Sequence, residues 1–274
     1  MLLLRAICRL IGVVFILISF VVIVIPIAGL LDYLRHDPRR SLALGCQQAM
    51  CKIALWFLNT EIRHDIDIKN FERQGQLLIA NHVSYFDVLC IASILPMSFL
   101  GKSEIKKWPL IRNLGSAARA IYVVRDSMQS RVACLLELKR ELKSRNYTLF
   151  PEGTTTTSVY PTAEKWFDGF AYIAAQKDLN VWALCIEYDR HVDRAWVDDM
   201  DLISHFWRTV KGDKLIICVK AKKLDCAQGK KLRPFSRKVL ADLKEDCIRT
   251  QEQLNDSLTK ERDLTALTLK QQRL

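Results

Sequence analysis

The sequence predicts an α/β fold in which a mixed sheet is flanked by helices and preceded by an N-terminal pair of membrane-embedded helices. Three observations lead to this prediction. A long uncharged apolar run stands near the N-terminus, short apolar runs alternate with amphipathic stretches from about residue 70, and half of the 274 residues are hydrophobic. Strands interleaved with helices are typical of α/β proteins, and this much apolar material can form a sizeable core.

The first element is an apolar helix near the N-terminus. Residues 10–31 carry no charge, and as a helix they would span about 33 Å, enough to cross a bilayer. A cleaved signal peptide is the alternative, but its apolar region normally covers about 7–15 residues and ends at a small-x-small site. Pro26 lies inside the run and predicts a kink, because proline lacks a backbone donor.

A second apolar helix follows, with a narrow polar stripe formed by Ser41, Gly45, Gln48 and Lys52. This pattern is typical of a helix that lies in the membrane interface. Basic residues flank the first helix on both sides, so the positive-inside rule gives no clear orientation. We therefore expect a hairpin that dips into one leaflet in preference to a single span. The flanking residues are Arg5, Arg9, Arg35, Arg39 and Arg40.

The chain after the N-terminal helix pair is predicted to form one α/β domain. Residues 1–60 are assigned to the membrane anchor, 61–255 to the α/β domain and 256–274 to a polar C-terminal tail. Strands are predicted at 76–80, 97–100, 120–124, 147–150, 181–186 and 215–219. Helices are predicted at 84–95, 127–145, 164–177 and 235–254, with Ser84 and Ser127 as N-caps of the first two.

Charge and cysteine usage limit the possible partners. The chain carries 41 basic and 30 acidic residues, a net charge of +11, which favours an anionic partner without identifying it. Residues 205–238 hold eleven Lys or Arg side chains against Asp213 and Asp225, although such a run can equally be a solvated face. Nine cysteines without a C-x-x-C pair predict reduced intracellular thiols and no metal site.

Residues 81–87 are the first stretch that could carry chemistry, because they follow the predicted strand 76–80 directly. His82 and Asp87 can meet only if His82 lies in the turn before the helix. A carboxylate that orients a histidine makes the other ring nitrogen a general base. The alternative is structural: Asp87 would complete a capping box with Ser84, and His82 would be a partly buried imidazole.

Two further polar stretches follow other predicted strand ends. In Phe150-Pro151-Glu152-Gly153-Thr154-Thr155, Gly153 allows close backbone approach and the following hydroxyls and amides could hold polar substrate groups. Lys102 and Arg125 could converge on an anion. Taken singly, the first stretch is an ordinary threonine-rich turn and the two cations are ordinary surface residues.

Together these stretches resemble the glycerolipid acyltransferase family, whose type member is 1-acylglycerol-3-phosphate acyltransferase. The family signatures are H-x-x-x-x-D, here His82 to Asp87; K-x-E…P, here Lys102, Glu104 and Pro109; and F-P-E-G-T, here Phe150 to Thr154. The resemblance covers roughly residues 70–225 together with the N-terminal helix pair. Asn-His-x-Ser-x-x-Asp followed about 65 residues later by Phe-Pro-Glu-Gly-Thr is a specific combination.

The resemblance implies a mechanism and a set of site residues. His82 would deprotonate an acceptor hydroxyl with Asp87 orienting it, and the hydroxyl would attack an acyl thioester directly, without a covalent acyl-enzyme. The partners would be a lysolipid acceptor, acyl-CoA or acyl carrier protein, and the bilayer, with no nucleic acid, cofactor or metal. The catalytic domain is expected on the cytoplasmic face of a bacterial inner membrane. The substrate-binding residues would be Asn81, Lys102, Arg125, Glu152, Gly153, Thr154 and Thr155.

Two departures from the family pattern bear on the acceptor. Many phosphatidic-acid-forming members read Glu-Gly-Thr-Arg, but the arginine position is Thr155 here, which weakens the case for a phosphomonoester acceptor. Residues 181–186 lack the usual proline. Phe-Pro-Glu-Gly-Thr-Thr, together with Ala195-Trp196-Val197-Asp198-Asp199-Met200, is more similar to the branch that acylates lyso-ornithine lipid, with lysophosphatidic acid as the second candidate.

Two other functional classes are compatible with parts of the sequence. A membrane-tethered lipid-binding module would use residues 205–238 and leave His82 idle. A hydrolase could combine the His–Asp pair with a Ser or Thr nucleophile. No Gly-x-Ser-x-Gly elbow occurs in the sequence, and Ser84 fits better as a helix cap.

Overall fold

A seven-stranded mixed sheet forms the centre of the computed structural model. The strand order is β1-β7-β6-β2-β5-β3-β4, and β6 and β7 are antiparallel while the other neighbours are parallel. The strands are β1 (Thr60–His64), β2 (Gln76–Ala80), β3 (Ser98–Lys102), β4 (Ile121–Val123), β5 (Tyr147–Leu149), β6 (Asn180–Tyr188) and β7 (Leu215–Lys223). The structure describes residues 2–35, 42–71, 75–107, 109–162, 164, 166–175, 179–197, 200–225 and 231–271.

The predicted α/β class with a mixed sheet is confirmed, and strand β2 has the predicted bounds. All five residues of β2 are buried, as expected for a parallel strand covered on both faces. Strands β6 and β7 run beyond the predicted ends, to Tyr188 and Lys223. Strand β1 was not predicted, because it is a half-buried edge strand in which Glu61 and Arg63 interrupt the apolar pattern.

The helices agree with the prediction in position more than in length. Ser127 is the N-cap of α6, and its hydroxyl accepts a hydrogen bond from the Ser130 amide at 3.2 Å. The predicted helix at 164–177 is reduced to α7, and α5, α8 and α9 were not predicted. The helices are α1 (Leu2–Ser19), α2 (Ile25–Arg35), α3 (Leu42–Phe57), α4 (Phe86–Ile94), α5 (Pro109–Ala117), α6 (Met128–Glu141), α7 (Gly169–Ala174), α8 (His191–Arg194), α9 (Leu202–Lys211) and α10 (Leu232–Gln271).

The domain boundary predicted at residue 255 falls inside a helix. Helix α10 continues from Leu232 to Gln271, so the polar segment is not a separate tail over its described part. Its first half buries Val239, Leu243 and Cys247 against the sheet. The later half is predominantly exposed, which explains why the apolar periodicity ends before the helix does.

Two apolar cores cover the two faces of the sheet. Leu78, Ile186 and Tyr188 point towards α1, α3 and α4, whereas Leu77 and Cys185 point towards α6, α7 and α10. Successive strand residues thus alternate between the cores, as the pleat requires. Each strand end can therefore contribute side chains to two different environments.

The N-terminal helix is continuous over its described length. By length and composition, Leu3–Leu34 could cross a membrane. A π-helical segment at Phe20–Val24 ends two residues before Pro26, which has no backbone N–H for the helical ladder. Its large exposed apolar side chains are Leu3, Leu4, Ile7, Ile11, Val14, Phe15, Ile18, Val22, Ile23, Ile27, Leu30, Leu31, Tyr33 and Leu34.

Helix α3 packs against the α/β domain as well as against the first helix. It buries Met50 and Leu55 in the same core as α4. Gln48, predicted to face the interface, instead donates to the carbonyl oxygens of Ser93 (3.3 Å) and Ile94 (2.7 Å) at the end of α4. Ser41 of the predicted stripe lies outside the described residues.

Hydrogen bonds fix both ends of the N-terminal helix. Arg9 is 8% exposed and donates through Nη1 to the carbonyl oxygens of Val210 (3.0 Å) and Gly212 (3.2 Å) at the end of α9. A guanidinium is favourable there because the last helix carbonyls lack helical donors. Asp32 accepts from the amides of Leu42 (2.8 Å) and Ala43 (3.3 Å) at the start of α3.

We predict that Gly12→Ala destabilises the packing of α1 on α3, because a Cβ at Gly12 would lie 2.4 Å from ring atoms of Phe57. Overpacking of this kind costs about 1–3 kcal/mol, and each kcal/mol lowers the Tm of a chain this size by roughly 2–4 °C. Thermal unfolding in detergent measures the change. Gly29→Ala is the control, since no described atom lies within 4 Å of its Cβ position; equal Tm values for both variants would contradict the prediction.

Candidate active site

His82 and Asp87 form a hydrogen-bonded pair at the carboxyl end of central strand β2. The Nδ1 atom of His82 lies 2.8 Å from Oδ2 of Asp87, and the two side chains are 18% and 0% exposed. His82 lies in the turn before α4 and Asp87 in its first turn. This is the geometry the sequence requires if the two residues are to meet.

The carboxylate of Asp87 accepts hydrogen bonds from several directions. Oδ2 also accepts from the amides of Val83 (2.7 Å) and Ser84 (3.0 Å), and Oδ1 accepts from the hydroxyl of Tyr188. Burial and the Asp87 charge raise the pKa of Tyr188, so its hydroxyl remains a donor. With Asp87 accepting at Nδ1, the proton of a neutral His82 lies on Nδ1 and its Nε2 is a free base.

Ser84 does not have the predicted capping role. Helix α4 begins at Phe86, and Tyr85 precedes it without a capping side chain. The Ser84 hydroxyl is buried and has no hydrogen-bond partner among the described residues. Only one half of the expected capping box is present, the Asp87 carboxylate accepting the Ser84 amide. A nucleophilic role for this buried hydroxyl has no structural support.

The Phe150–Thr156 segment encloses His82. The imidazole stacks on the Phe150 ring, with centroids 4.1 Å apart and an interplanar angle of 18°. The His82 amide donates to Oε1 of Glu152 at 2.9 Å, and the Thr156 amide donates to the His82 carbonyl at 2.9 Å. The two family signatures therefore hold each other in place at adjacent strand ends.

Glu152 is buried behind His82. It is 3% exposed, and burial raises its pKa to about 7, opposed by the hydrogen bond from the His82 amide and reinforced by the charges of Asp87 and Glu187. The Oε1 atom of Glu152 accepts a hydrogen bond from the backbone amide of His82. Its role in this structure is to position His82.

Gly153 occupies a position that excludes other residues. Its φ angle is +67°, and a Cβ there would lie 2.8 Å from Cε2 of Phe167. Its amide donates to the Phe150 carbonyl at 3.0 Å, which closes the turn. Thr154 is partly exposed beside it, whereas Thr155 is buried.

Lys102 and Arg125 lie on the same side of the site, at the ends of the paired strands β3 and β4. The Nε atom of Arg125 lies 3.5 Å from the Cβ position of Gly153, and burial lowers the pKa of this guanidinium. Glu104 is near both cations: its own backbone hydrogen bond, Ser103, Lys102 and Arg125 together lower its pKa. The structure thus places Arg125 beside the glycine turn, whereas Lys102 is exposed at the end of β3.

Asn81 is placed differently from the predicted substrate-binding role. It is 1% exposed, its amide N–H donates to the Ile186 carbonyl at 2.9 Å, and its amide oxygen accepts from the Ile186 N–H at 2.8 Å. Asn81 therefore continues the pairing of β2 with β6 beyond the end of the strand. These two hydrogen bonds anchor the residue that directly precedes His82.

Several residues of the site have no signal in the sequence. Tyr188 lies two residues beyond the predicted end of its strand, and Phe167 falls in a region predicted to be helical.

Cys185, Glu187 and Cys247 are close enough to share a cation. However, Oε2 of Glu187 lies 2.9 Å from Nδ1 of His191. Because His191 already occupies the Glu187 carboxylate, we assign no metal to this cluster.

A cavity of about 380 Å³ lies beside α9. Tyr85 contacts a residue that lines it, since its hydroxyl lies 3.1 Å from Nδ1 of His205, and its ring contacts Trp196. The cavity is lined by Met200, Asp201, Ser204, His205 and Arg208. Arg208 is the first basic residue of segment 205–238, which the structure divides among α9, β7 and α10.

The basic segment is not a uniform free surface. Lys214 pairs with Glu61, and Lys222 lies 3.6 Å from Asp246. Residues 226–230 of the segment lie outside the described residues. At least part of the local positive charge is therefore used in contacts within the chain.

Comparison with known proteins identifies the fold and the motif region. Residues 63–187 match the family model described as Acyltransferase. The crystal structure of the 1-acyl-sn-glycerophosphate (LPA) acyltransferase PlsC from Thermotoga maritima superposes with a TM-score of 0.63 at 17% identity, covering 90% of this chain and 97% of that one. At this identity the structural likeness demonstrates the fold.

Curated relatives include two acceptor types. The lyso-ornithine lipid O-acyltransferase of Pseudomonas aeruginosa is 31% identical over 147 residues, 52% of this chain and 56% of that protein. The 1-acyl-sn-glycerol-3-phosphate acyltransferase of Neisseria gonorrhoeae is 28% identical over 156 residues, 53% and 58% of the two chains. The chain thus matches little more than half the length of these relatives. The resemblance drawn from the motifs is confirmed at the level of the family.

We predict that Glu152→Gln changes how stability depends on pH. A carboxyl whose folded-state pKa is raised from 4.5 to about 7 stabilises the fold below pH 4.5, and that contribution is lost as the pH rises to about 7. Glutamine keeps the oxygen that accepts the His82 amide but does not titrate. Between about pH 5 and pH 7 the slope of the unfolding free energy should differ from wild type by up to about 1.4 kcal/mol per pH unit.

Urea unfolding at a series of pH values measures this slope. Glu252→Gln is the matched control, because Glu252 is exposed on α10. Parallel pH profiles for wild type and Glu152→Gln would show that Glu152 ionises in the folded protein as readily as in the unfolded chain.

Proposed function

We propose that the chain is a membrane-associated O-acyltransferase acting on a lysolipid, on the basis of the match between residues 63–187 and the acyltransferase family model. It moves a fatty acyl group from an acyl thioester to the lysolipid hydroxyl. The observation that carries the proposal is the His82–Asp87 pair, in which Nδ1 is hydrogen bonded and Nε2 remains free.

His82 acts as the general base in the proposed reaction. Its Nε2 removes the proton of the acceptor hydroxyl as the oxygen attacks the thioester carbonyl carbon. The carbon–sulfur bond breaks, and the departing thiolate receives the proton from the His82 imidazolium. Asp87 touches no reacting atom; it orients the ring and stabilises the imidazolium that forms between the two steps.

The organised pair argues against the two other functional classes. A lipid-binding module would have no use for a buried carboxylate held on His82 by backbone amides and Tyr188. A hydrolase with a serine nucleophile would need an accessible hydroxyl, but the Ser84 hydroxyl next to the pair is fully buried. Direct attack by the acceptor requires no enzyme nucleophile.

Lyso-ornithine lipid is our first candidate for the acceptor, and lysophosphatidic acid is the second. Thr155 is buried and supplies no guanidinium for a phosphomonoester. Arg125 supplies positive charge beside the same turn, with Lys102 at the neighbouring strand end, which suits the single carboxylate of an amino-acid headgroup. Relatives named as lyso-ornithine lipid O-acyltransferases from Pseudomonas aeruginosa and Rhizobium meliloti support the first candidate, and the Neisseria relatives support the second.

The donor and the membrane location complete the proposal. Acyl-CoA and acyl carrier protein are both acidic, so the basic residues around the site serve either donor, and the reaction needs no cofactor or metal. The exposed apolar face of α1 and α2, continued by Ile53 and Trp56 of α3, supports insertion into a bilayer. We place the chain at a bacterial inner membrane with the catalytic domain on the cytoplasmic face.

Replacing His82 tests the mechanism. We predict that His82→Ala lowers the acyl-transfer rate by at least about 100-fold, since it removes the general base, while membrane association is retained. His64→Ala, at an exposed position at the end of β1, should retain full activity. Wild-type transfer by the His82→Ala protein would refute the mechanism.

A direct assay distinguishes the two acceptors. The purified protein is incubated with one acyl thioester and either lyso-ornithine lipid or lysophosphatidic acid, and kcat/KM is measured for each. We expect the higher kcat/KM with lyso-ornithine lipid, because Thr155 leaves a phosphomonoester without its arginine partner. Turnover of lysophosphatidic acid alone would eliminate the aminolipid acceptor.

A further inference from the structure

A second histidine–carboxylate pair lies behind the first one. Glu187 and Tyr188 are consecutive residues at the end of β6, so their side chains point to opposite faces of the sheet. Tyr188 donates to Asp87 on one face. On the other, Oε2 of Glu187 lies 2.9 Å from Nδ1 of His191, and the two side chains are 0% and 4% exposed.

His191 connects this pair to the substrate turn. Its Nε2 lies 3.0 Å from the carbonyl oxygen of Ser158. The Ser158 amide in turn donates to Oγ1 of Thr156 at 3.1 Å, and the Thr156 amide donates to the carbonyl oxygen of His82. The segment after the Gly153 turn is therefore fixed at one end by His82 and at the other by His191.

The two contacts of His191 require a specific number of protons. A carbonyl oxygen only accepts, so Nε2 must carry a proton, and a second proton must lie between Nδ1 and Glu187. An imidazolium beside a carboxylate meets this requirement, and so does a neutral imidazole beside a carboxylic acid. When the shared proton is lost, one N–H remains for two acceptors, and the carboxylate is the stronger one. The Ser158 carbonyl then faces a lone pair.

From this geometry we propose that Glu187 and His191 are positioning residues for acyl transfer, which hold the 154–158 turn in its active conformation only while they share a proton. The inference rests on the proposed function, since it assigns the turn to the acceptor site. It adds an alkaline limit to activity that originates at a pair with no contact to the reacting atoms.

The surroundings of the pair determine the direction of this pH dependence. Burial raises the pKa of Glu187 to about 7; its contacts with His191 lower the pKa, and the charge of Asp87 raises it. The other side of Glu187 faces two thiols. The Sγ atom of Cys185 lies 3.9 Å from Oε1 of Glu187, and the thiol of Cys247 on α10 is also hydrogen bonded to Glu187. Glu152 faces the pair from the substrate turn. The shared proton is therefore held at acidic pH and lost as the pH rises.

The Glu187→Gln variant removes the titration but keeps both hydrogen bonds. Its amide N–H can donate to Nδ1 of a neutral His191, whose Nε2–H still donates to Ser158. We expect the alkaline decrease in kcat/KM assigned to this pair to be absent, so that the ratio of the variant's kcat/KM to that of wild type rises from pH 6 to pH 9. His191→Phe loses both contacts, and its kcat/KM should fall by about 10- to 100-fold, while His191→Gln, which keeps a donor, should recover part of the loss.

Hydrogen exchange of peptides that contain residues 154–158 tests the inference without activity. The wild-type turn should exchange faster than the Glu187→Gln turn at pH 9 but at the same rate at pH 6.5. Failure of the proposed function would appear as no transfer by wild type to either acceptor, whatever the exchange result. Identical exchange of the two proteins at both pH values, or an unchanged alkaline limb in an active Glu187→Gln protein, would overturn this inference alone.

Metal analysis of the purified protein covers the other use of the same cluster. We expect no stoichiometric metal in wild type. One equivalent of zinc that is lost in Cys247→Ala would assign Glu187 to a metal site and overturn the proton-sharing pair.

Discussion

The carboxylate of Asp87 is the group on which the rest of the site depends. It is completely buried, so its charge would be costly without several donors close to it. Those donors come from the His82 turn, from two backbone amides and from Tyr188 on a neighbouring strand. Helix α4 must therefore begin where it does and β6 must extend as far as Tyr188. One buried charge fixes the relative positions of a turn, a helix and a strand.

The same requirement explains why the two signature segments lie together. Parallel strands β2 and β5 end at the same edge of the sheet, and the Glu152 carboxylate and the Thr156 amide each bond the backbone of His82. Asn81 joins the third strand end, that of β6, by two hydrogen bonds to Ile186. Residues that first appeared to be substrate ligands are in part the framework that keeps the imidazole stationary. Preorganisation of this kind is a large part of what an enzyme supplies.

The sequence identified the candidate catalytic residues but not all of the residues that hold them in place. The sheet, the His–Asp pair and the glycine turn follow from buried apolar runs and from polar residues at strand ends. Tyr188 and His191 could not be found, because Glu187 interrupts the apolar run before the strand ends at Tyr188 and His191 lies in the short helix beyond it. Ser84 was assigned to a cap since Ser-x-x-Asp usually begins a helix, yet the donors of Val83 and Ser84 are bonded by Asp87 itself. Helix α10 outlasts its apolar stripe because only its first half contacts the sheet.

The contact of Arg9 with the end of α9 also determines how deep the protein can sit in a bilayer. A guanidinium bonded to Val210 and Gly212 cannot enter hydrocarbon without taking the end of α9 with it. If α1 inserts as we propose, Arg9 marks the lipid–water boundary on the molecule. Helix α9 and the cavity beside His205 then lie level with the lipid headgroups. Immersion depth is then set by the fold, and under the proposed function it fixes the height above the bilayer centre at which the site meets an acceptor hydroxyl.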